Sequence, residues 1–188
     1  MRSRYVIAAA LCALAPSAAR ADALYDSFQS LCLVTAGKSG PVKSVASAQG
    51  FITPPPDVAA GFKAPPNTSN TTTLWKVNAG KPIVLIWGDG QIPTQTPVRA
   101  DFCAVATATS AGNVEQVLEQ SLAVGPAQVA GPSRLFIFDD NGVARRAVSM
   151  GDPTAVAAAM TYGRLRFVGG QSQGATSAML LLSPKAAQ

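Results

Sequence analysis

The sequence predicts a single α+β domain in which an N-terminal helical hairpin packs on a mostly antiparallel sheet with further short helices. Two observations support this fold class. Apolar residues recur at helical spacing early in the chain, whereas after residue 73 they alternate with polar residues as in strands. Short turn motifs also join the predicted strands, and turns of that length connect antiparallel neighbours. The 188 residues, 48% of them apolar, are enough to fill one core.

Residues 1–21 have the layout of a secretory signal peptide. Two arginines precede an apolar run at residues 5–15, and Ala19 and Ala21 are the small residues that a signal peptidase reads. The alternative is a membrane anchor, but the run would span only about 16 Å of a ~30 Å hydrocarbon core. We therefore expect cleavage after Ala21, an exported domain at 22–188, and a periplasmic or secreted location in a bacterium.

Removal of the signal peptide leaves two cysteines, Cys32 and Cys103. Two thiols in an oxidising compartment favour one disulfide, and two separately buried thiols are the alternative. A closed loop of about 70 residues would stabilise the fold by roughly 4 kcal/mol in the chain-entropy description. No C-x-x-C motif is present to lower the pKa of either thiol, so the predicted bridge is structural.

The charge balance argues against a nucleic-acid partner. The whole chain has 15 Lys and Arg against 10 Asp and Glu, a net charge of +5. Three of the arginines lie within residues 1–21 and all ten acids lie within 22–188, so the exported domain carries 12 − 10 = +2. Nucleic-acid-binding domains present clustered, strongly basic faces instead. No long uncharged apolar run follows the first segment, so we also expect no membrane span.

The predicted hairpin consists of two helices. The first begins at Asp22, and Phe28 and Leu31 lie at helical spacing within it. The second covers residues 41–49, between a proline that suits a first turn and a glycine that suits a stop. Cys32 is expected on the inner side of this pair.

Residues 53–73, which we call the strap, are predicted to be irregular and partly extended. The strap holds five prolines and a run of Asn, Ser and Thr residues. A connection of this length is usually functional or mobile, and the alternative is a surface segment without a specific role.

The remainder of the chain is predicted to alternate strands with two short helices. Expected turns are 88–90, Asn141-Gly142 and the glycine-rich segment 169–174. Asn113 and Asp152 are predicted N-caps of the two helices. In chain order the elements are strands at 74–78, 82–87 and 98–107, a helix at 113–123, strands at 134–139 and 143–150, a helix at 153–161, and strands at 164–168 and 178–182.

The strand at 98–107 predicts where the hairpin packs. Phe102 and four other apolar residues share one face of this strand, and Cys103 points to the other. If Cys103 bonds to Cys32, the N-terminal helices must cover the face that carries Cys103.

The absence of histidine excludes several kinds of active site. Ser-His-Asp and Cys-His catalysis, histidine metal sites and an imidazole proton shuttle are all impossible. Residues 139–150 resemble a calcium loop at their start but end in Met150 where an EF-hand needs Glu. We therefore predict no metal and no cofactor.

Arginines are concentrated in the last third of the chain. Arg164 and Arg166 share one strand face, opposite Leu165 and Phe167. If the strands that carry them are neighbours, the arginines form a basic stripe suited to an anionic small molecule or an acidic protein surface. The alternative is the ordinary solvent face of a half-exposed sheet. The candidate binding residues, which we call the arginine stripe, are Arg134, Arg145, Arg146, Arg164 and Arg166.

These observations favour an exported binding or interaction module of the cell envelope without catalysis. One alternative is a carboxylate-dependent envelope hydrolase that uses Asp89, Asp139 or Asp140, because two turns could bring carboxylates together. A second alternative is a structural subunit of an envelope assembly. The sequence identifies neither the ligand nor the strand order.

Overall fold

The computed structural model describes residues 18–78, 80–92, 97–109, 112–130 and 133–185. Within these ranges the helices are α1 (Ala18–Phe28), α2 (Ser39–Ala48), α3 (Pro56–Gly61), α4 (Val114–Leu122) and α5 (Pro153–Thr161), with a π-helical turn at Gln29–Leu33. The strands are β1 (Thr68–Asn78), β2 (Lys81–Ile92), β3 (Val98–Thr107), β4 (Gln128–Ala130), β5 (Ser133–Asp140), β6 (Arg145–Ala147), β7 (Leu165–Gln173) and β8 (Thr176–Pro184).

The predicted signal peptide lies mostly at 1–17, outside the described residues, and α1 continues through the predicted cleavage position. No helix in the described part of the chain is long and apolar enough to cross a bilayer.

All eight strands belong to one antiparallel sheet, as the α+β prediction requires. The strand order is β1-β2-β3-β8-β7-β5-β4. β4 and β6 share one edge of β5: β4 pairs with its first residues, 133–135, and β6 pairs with its last residues, 138–140. The strand that comes last in the chain, β8, therefore lies at the centre, between β3 and β7. This placement makes one continuous sheet and one domain.

We call the side of the sheet that carries Cys103 the helical face. Helices α1, α2 and α4 and the π-helical turn bury it in the largest core cluster, which includes Phe28, Phe136 and Leu181. The prediction that the N-terminal helices cover the Cys103 side is confirmed, because Cys32 and Cys103 belong to this same cluster. This face is closed.

The opposite side, which we call the strap face, is covered only at two places. Phe62 and its neighbours in the strap pack over Val84 and Phe102. Helix α5 packs separately over Leu165 and Phe167. The two clusters adjoin at Leu182, which packs against both. The part of the strap face around Ala106 and Ala178 is not covered by any helix of the described chain.

The sulfur atoms of Cys32 and Cys103 lie 2.00 Å apart, the distance of a disulfide bond, with 5.5 Å between their Cα atoms. Both side chains are fully buried. Gly37, with φ +70°, follows the π-helical turn and brings the backbone close to Cys103. The predicted pairing is therefore present in the structure.

Three local turn and cap signals have the structure that the sequence predicts. Asn113 Oδ1 accepts a hydrogen bond from the Gln116 N–H at 3.0 Å, and Asp152 Oδ1 accepts one from the Ala155 N–H at 3.0 Å. Gly142 has φ +82°, which suits the predicted Asn141-Gly142 turn. Each signal depends only on residues close to it in the chain.

The prediction of a turn at 88–90 is wrong, because these residues lie inside β2. A side chain at Gly88 would place its Cβ 2.7 Å from the Ser69 carbonyl oxygen, where β1 contains a bulge. A Cβ at Gly90 would lie 2.9 Å from Leu182 Cδ2. Gly88 allows the β1 backbone to approach β2 closely, and Gly90 leaves room for the Leu182 side chain of β8. Close approach of another segment is the other common reason for glycine in a strand.

The glycine-rich segment 169–174 is also mostly strand rather than turn. β7 continues to Gln173, and only Gly174 has a positive φ. A Cβ at Gly170 would lie 2.6 Å from Leu118 Cδ1, so this glycine allows α4 to pack directly on the sheet. The turn prediction is wrong because Gly170 makes room for α4, a segment about 50 residues away in sequence that the local pattern does not reveal.

Two further predictions need correction. The strap is not wholly irregular, since it contains α3 and since β1 begins at Thr68. The return strand expected at 143–150 is reduced to β6, at Arg145–Ala147.

Candidate functional site

The strands that carry the arginine stripe are neighbours, because β5 pairs with both β6 and β7. Arg164 makes a bidentate ion pair with Asp139, with Nε 2.8 Å from Oδ1 and Nη2 2.9 Å from Oδ2. Arg134 pairs with Glu119 of α4. Two of the five guanidinium groups are therefore held by a carboxylate at close range.

The remaining arginines of the stripe have three different surroundings. Arg145 lies 3.6 Å from Asp140 and stacks near the Phe138 ring. Arg146 is exposed, and no ion pair is found for it within the described chain. Carboxylates therefore lie beside three of the five arginines of the stripe. A binding role for the stripe stays a prediction.

Arg166 is buried, with 8% of its surface exposed. Its Nη1 donates hydrogen bonds to the carbonyl oxygens of Gly163 and Leu165, at 2.9 and 3.0 Å. Burial lowers the pKa of Arg166, and Asp140 and Asp139 act in the opposite direction. These contacts give Arg166 a place in the core rather than on the solvent face.

The carboxylates suspected of hydrolase chemistry do not come together in one place. Asp139 and Asp140 lie on β5, whereas Asp89 lies on β2. Three strands separate β2 from β5, which corresponds to about 19 Å across the sheet. Two-carboxylate glycoside chemistry needs a separation of about 5–9.5 Å.

The uncovered part of the strap face forms a groove with a volume of about 530 Å³. Its floor combines small residues, Ala104 and Ala106 of β3, Ala178 of β8 and Gly169 of β7, with Leu180 of β8, which lies between Ala104 and Gly169. Phe62 of the strap forms one wall. The volume is within the range of about 300–1,000 Å³ that small-molecule sites occupy.

The groove is mainly apolar, and one cationic side chain lies at its rim. Lys63 of the strap is exposed at one side, and no ion pair is found for it among the described residues. Arg134 borders the groove through its backbone, because its side chain is directed to the helical face, where it pairs with Glu119 of α4. No Asp or Glu is among the residues that line it.

The sequence contained a signal for this groove that could not be interpreted alone. Ala104 and Ala106 are two of the apolar residues that share one face of the strand at 98–107 with Phe102. Their neighbours Ala178 and Gly169 come from strands that follow much later in the chain. Only the strand order shows that the small residues form one surface.

Among the described residues, no group of three or more Cys, Asp or Glu side chains is arranged to hold a metal ion. Comparisons of the chain with protein-family models, with curated proteins and with solved structures find no match. The function is therefore argued from the geometry of the groove.

Proposed function

We propose that the protein is an exported binding protein of the cell envelope that holds a small amphiphile in the strap-face groove. The amphiphile has an apolar chain or ring system and an anionic end. The single observation that carries the proposal is the apolar groove beside the strap, whose floor includes Ala104, Ala106, Gly169, Ala178 and Leu180. An apolar surface of this kind, enclosed by walls, is typical of a ligand site.

The floor supplies the affinity for the apolar part of the ligand. The alanine and glycine positions on either side of Leu180 leave open space above the sheet, where a ligand can lie against apolar surface. Each buried methylene group contributes about 0.8 kcal/mol. A chain lying across the strands from Ala104 to Gly169 would bury several such groups.

The rim supplies the preference for an anionic end. Lys63 offers an ammonium group without a described ion pair. A carboxylate, sulfonate or phosphate would be attracted to this rim, and a cationic group repelled. The anionic ligand predicted from the sequence is therefore proposed here as an amphiphile whose anionic end lies at this rim.

Binding without catalysis fits the groove better than hydrolysis does. Carboxylate-dependent hydrolysis needs an acid beside the substrate, and the lining residues include no Asp or Glu. The disulfide-distance cysteine pair supports an oxidising compartment, and with it the proposed periplasmic or secreted location. A structural subunit would use the same groove for a protein segment.

The proposal is tested by ligand binding to the chain at 22–188 with its cysteines oxidised. Anilinonaphthalene sulfonate, which is itself an apolar ring system with an anionic group, serves as the fluorescent probe, and dodecanoate serves as the competitor. We expect dodecanoate to displace the probe and dodecyltrimethylammonium to do so far less well. Absence of probe binding by the folded protein would refute the proposal.

Two variants locate the site. Ala178→Phe places a large ring in the groove and should abolish binding, whereas Ala147→Phe adds the same ring on exposed β6 and should leave binding unchanged. Lys63→Glu should reverse the preference between the two dodecyl compounds. Equal loss of binding in Ala178→Phe and Ala147→Phe would place the probe elsewhere, and competition by a purified envelope protein instead of dodecanoate would favour the structural-subunit alternative.

A further inference from the structure

The strap-face groove differs in chemistry between its two ends. At one end lies the strap, which lines the groove with Phe62, Lys63 and Pro65 and packs on β2 and β3. At the other end the lining comes from β7, β5 and the edge strand β4. The strap end is apolar apart from Lys63, whereas the opposite end is polar and uncharged.

The opposite end has four side chains that carry an amide or a hydroxyl group. We call these residues the polar end, and they are Gln128 of β4, Ser133 of β5, Gln171 of β7 and Thr176 of β8. None of these four residues is buried. Their polar groups are therefore accessible to a ligand in the groove.

The strand pairing places both glutamines on the strap face. Gln171 is paired with Ala178, which belongs to the floor of the groove. Gln128 is paired with Leu135, which is itself paired with Gly169 of the floor. Directly paired residues of antiparallel strands have their side chains on the same face of the sheet. Both amides therefore lie on the side of the sheet that a ligand occupies.

Ser133 and Thr176 lie on the same face because side chains alternate along a strand. Ser133 is two residues before Leu135 in β5, and Thr176 is two residues before Ala178 in β8. Arg134, between Ser133 and Leu135, is directed to the helical face, where it pairs with a carboxylate of α4. The two hydroxyl groups thus complete the polar end.

The polar end suits an uncharged hydrogen-bonding group. Among the described residues that line the groove, Lys63 is the one whose charged side chain belongs to it. A carboxylate or ammonium group at the polar end would lose water without gaining an opposite charge. A hydroxyl or amide group can instead exchange hydrogen bonds there, because amide and hydroxyl side chains both donate and accept.

The polar end is too far from the strap for a compact ligand to contact both. Ala106 on β3 and Ser133 on β5 are separated by three strand spacings, which correspond to about 14 Å. The floor between them includes Ala178 and Leu180 and is apolar. A ligand that contacts both ends is therefore extended, with an apolar middle and a polar group at each end.

We propose that the ligand of the groove is an acyl chain with two different polar ends, an anionic group at Lys63 and a hydroxyl or amide group at the polar end. This inference rests on the proposed function, and it restricts the ligand from amphiphiles in general to chains with a second, uncharged polar group. Gln128 and Gln171 are then residues that determine specificity.

The test compares three competitors of anilinonaphthalene sulfonate that have the same chain length: dodecanoate, ω-hydroxydodecanoate and dodecanedioate. We expect ω-hydroxydodecanoate to bind about fivefold more tightly than dodecanoate, which is about 1 kcal/mol, because a hydrogen bond that replaces water gives a small net gain. Dodecanedioate should bind no more tightly than dodecanoate, because its second carboxylate meets no cation at the polar end.

A double variant tests the two amides. Gln128→Leu with Gln171→Leu should abolish the preference for the hydroxyl group and retain the binding of dodecanoate. The matched control is Gln116→Leu with Gln120→Leu, the same change at two exposed glutamines of α4, on the helical face. The control should keep the fivefold preference, and urea unfolding of both double variants separates loss of binding from loss of folding.

Three results would overturn the proposal: equal binding of dodecanoate and ω-hydroxydodecanoate, tightest binding of dodecanedioate, or loss of the preference in both double variants. The proposed function survives each of these results as long as dodecanoate displaces the probe. Failure of dodecanoate to displace the probe would refute the proposed function and this inference with it.

Discussion

The two faces of the sheet differ in how completely they are covered. On the helical face, α1, α2 and α4 pack on the sheet, and the Cys32–Cys103 pair joins the N-terminal segment to β3. On the strap face, α3 has no buried residue and α5 has only Ala159. The comparison shows that the helical face carries most of the buried core, whereas the helices on the strap face bury little.

The largest expected effect comes from removing the same side chain on the two faces. Phe28→Ala empties a fully buried site on the helical face and should lower the free energy of unfolding by about 3–5 kcal/mol. Phe62→Ala on the strap is expected to cost about 1 kcal/mol, because Phe62 is only partly buried. Urea unfolding measures both values, and equal losses would contradict the proposed difference between the faces.

A smaller effect is expected when the cysteine pair is replaced. The double variant Cys32→Ser, Cys103→Ser should lose about 2–4 kcal/mol of stability, since it no longer restricts the unfolded chain. Binding of anilinonaphthalene sulfonate by the folded variant should remain unchanged, because neither cysteine lines the groove. A folded variant that no longer binds the probe would show that the two faces are coupled.

Glycine substitutions sharpen the comparison at single positions. Gly88→Ala should destabilise the protein by about 1–3 kcal/mol, because its Cβ would meet the backbone of the β1 bulge at 2.7 Å. Gly169→Ala in the groove floor is the control. Its nearest neighbour would be 3.9 Å away, so we expect no loss and a gain of up to about 0.5 kcal/mol. Thermal unfolding compares the two variants, and the argument for close approach fails if both behave alike.

The smallest expected effect is a dependence of stability on acid pH. It arises at Asp89, which contacts Lys185 and Asn70 at the protein surface, and not in a hydrophobic core. The pKa of Asp89 in the folded protein is below its ordinary value of 3.8. The stability that ionised Asp89 contributes is therefore fully present above that value and is lost as the pH falls through the lowered folded-state pKa. The effect is small because the group is exposed.

The measurement is urea unfolding of the wild type and of Asp89→Asn across this pH range. The wild type should lose its advantage over the variant as the pH falls. A constant difference between the two proteins would exclude a contribution from ionised Asp89.

Sequence reasoning succeeded where the determining residues are close together in the chain. The strand at 98–107 and the helix at 153–161 have the predicted bounds, and Asn113 and Asp152 act as N-caps. These elements follow from alternation, a proline and a capping side chain, all of which are local. The pairing of Cys32 with Cys103 could also be predicted, because only two cysteines follow the signal segment.

Sequence reasoning failed where a distant segment determines the conformation. Gly88 and Gly170 have no turn to make, and their roles depend on the β1 bulge and on α4. The groove depends on the strand order, which places Ala178 beside Ala106. The ion pairs of Lys185 depend on Asp89 and Asp101, which are remote from it in sequence. Alternation within one strand contains none of this information.

The central position of β8 has a consequence for how the chain folds. β3 and β7 are joined only through β8, so β1–β3 and β4–β7 remain two separate half-sheets until residues 176–184 arrive. Until then each half-sheet has an unpaired edge, which is the feature that leads to aggregation of incomplete chains. Contacts between segments so far apart in the chain also make folding slow. The sheet is thus completed at its centre, when β8 pairs with β3 and β7 late in folding. The chain is most prone to aggregation before that step.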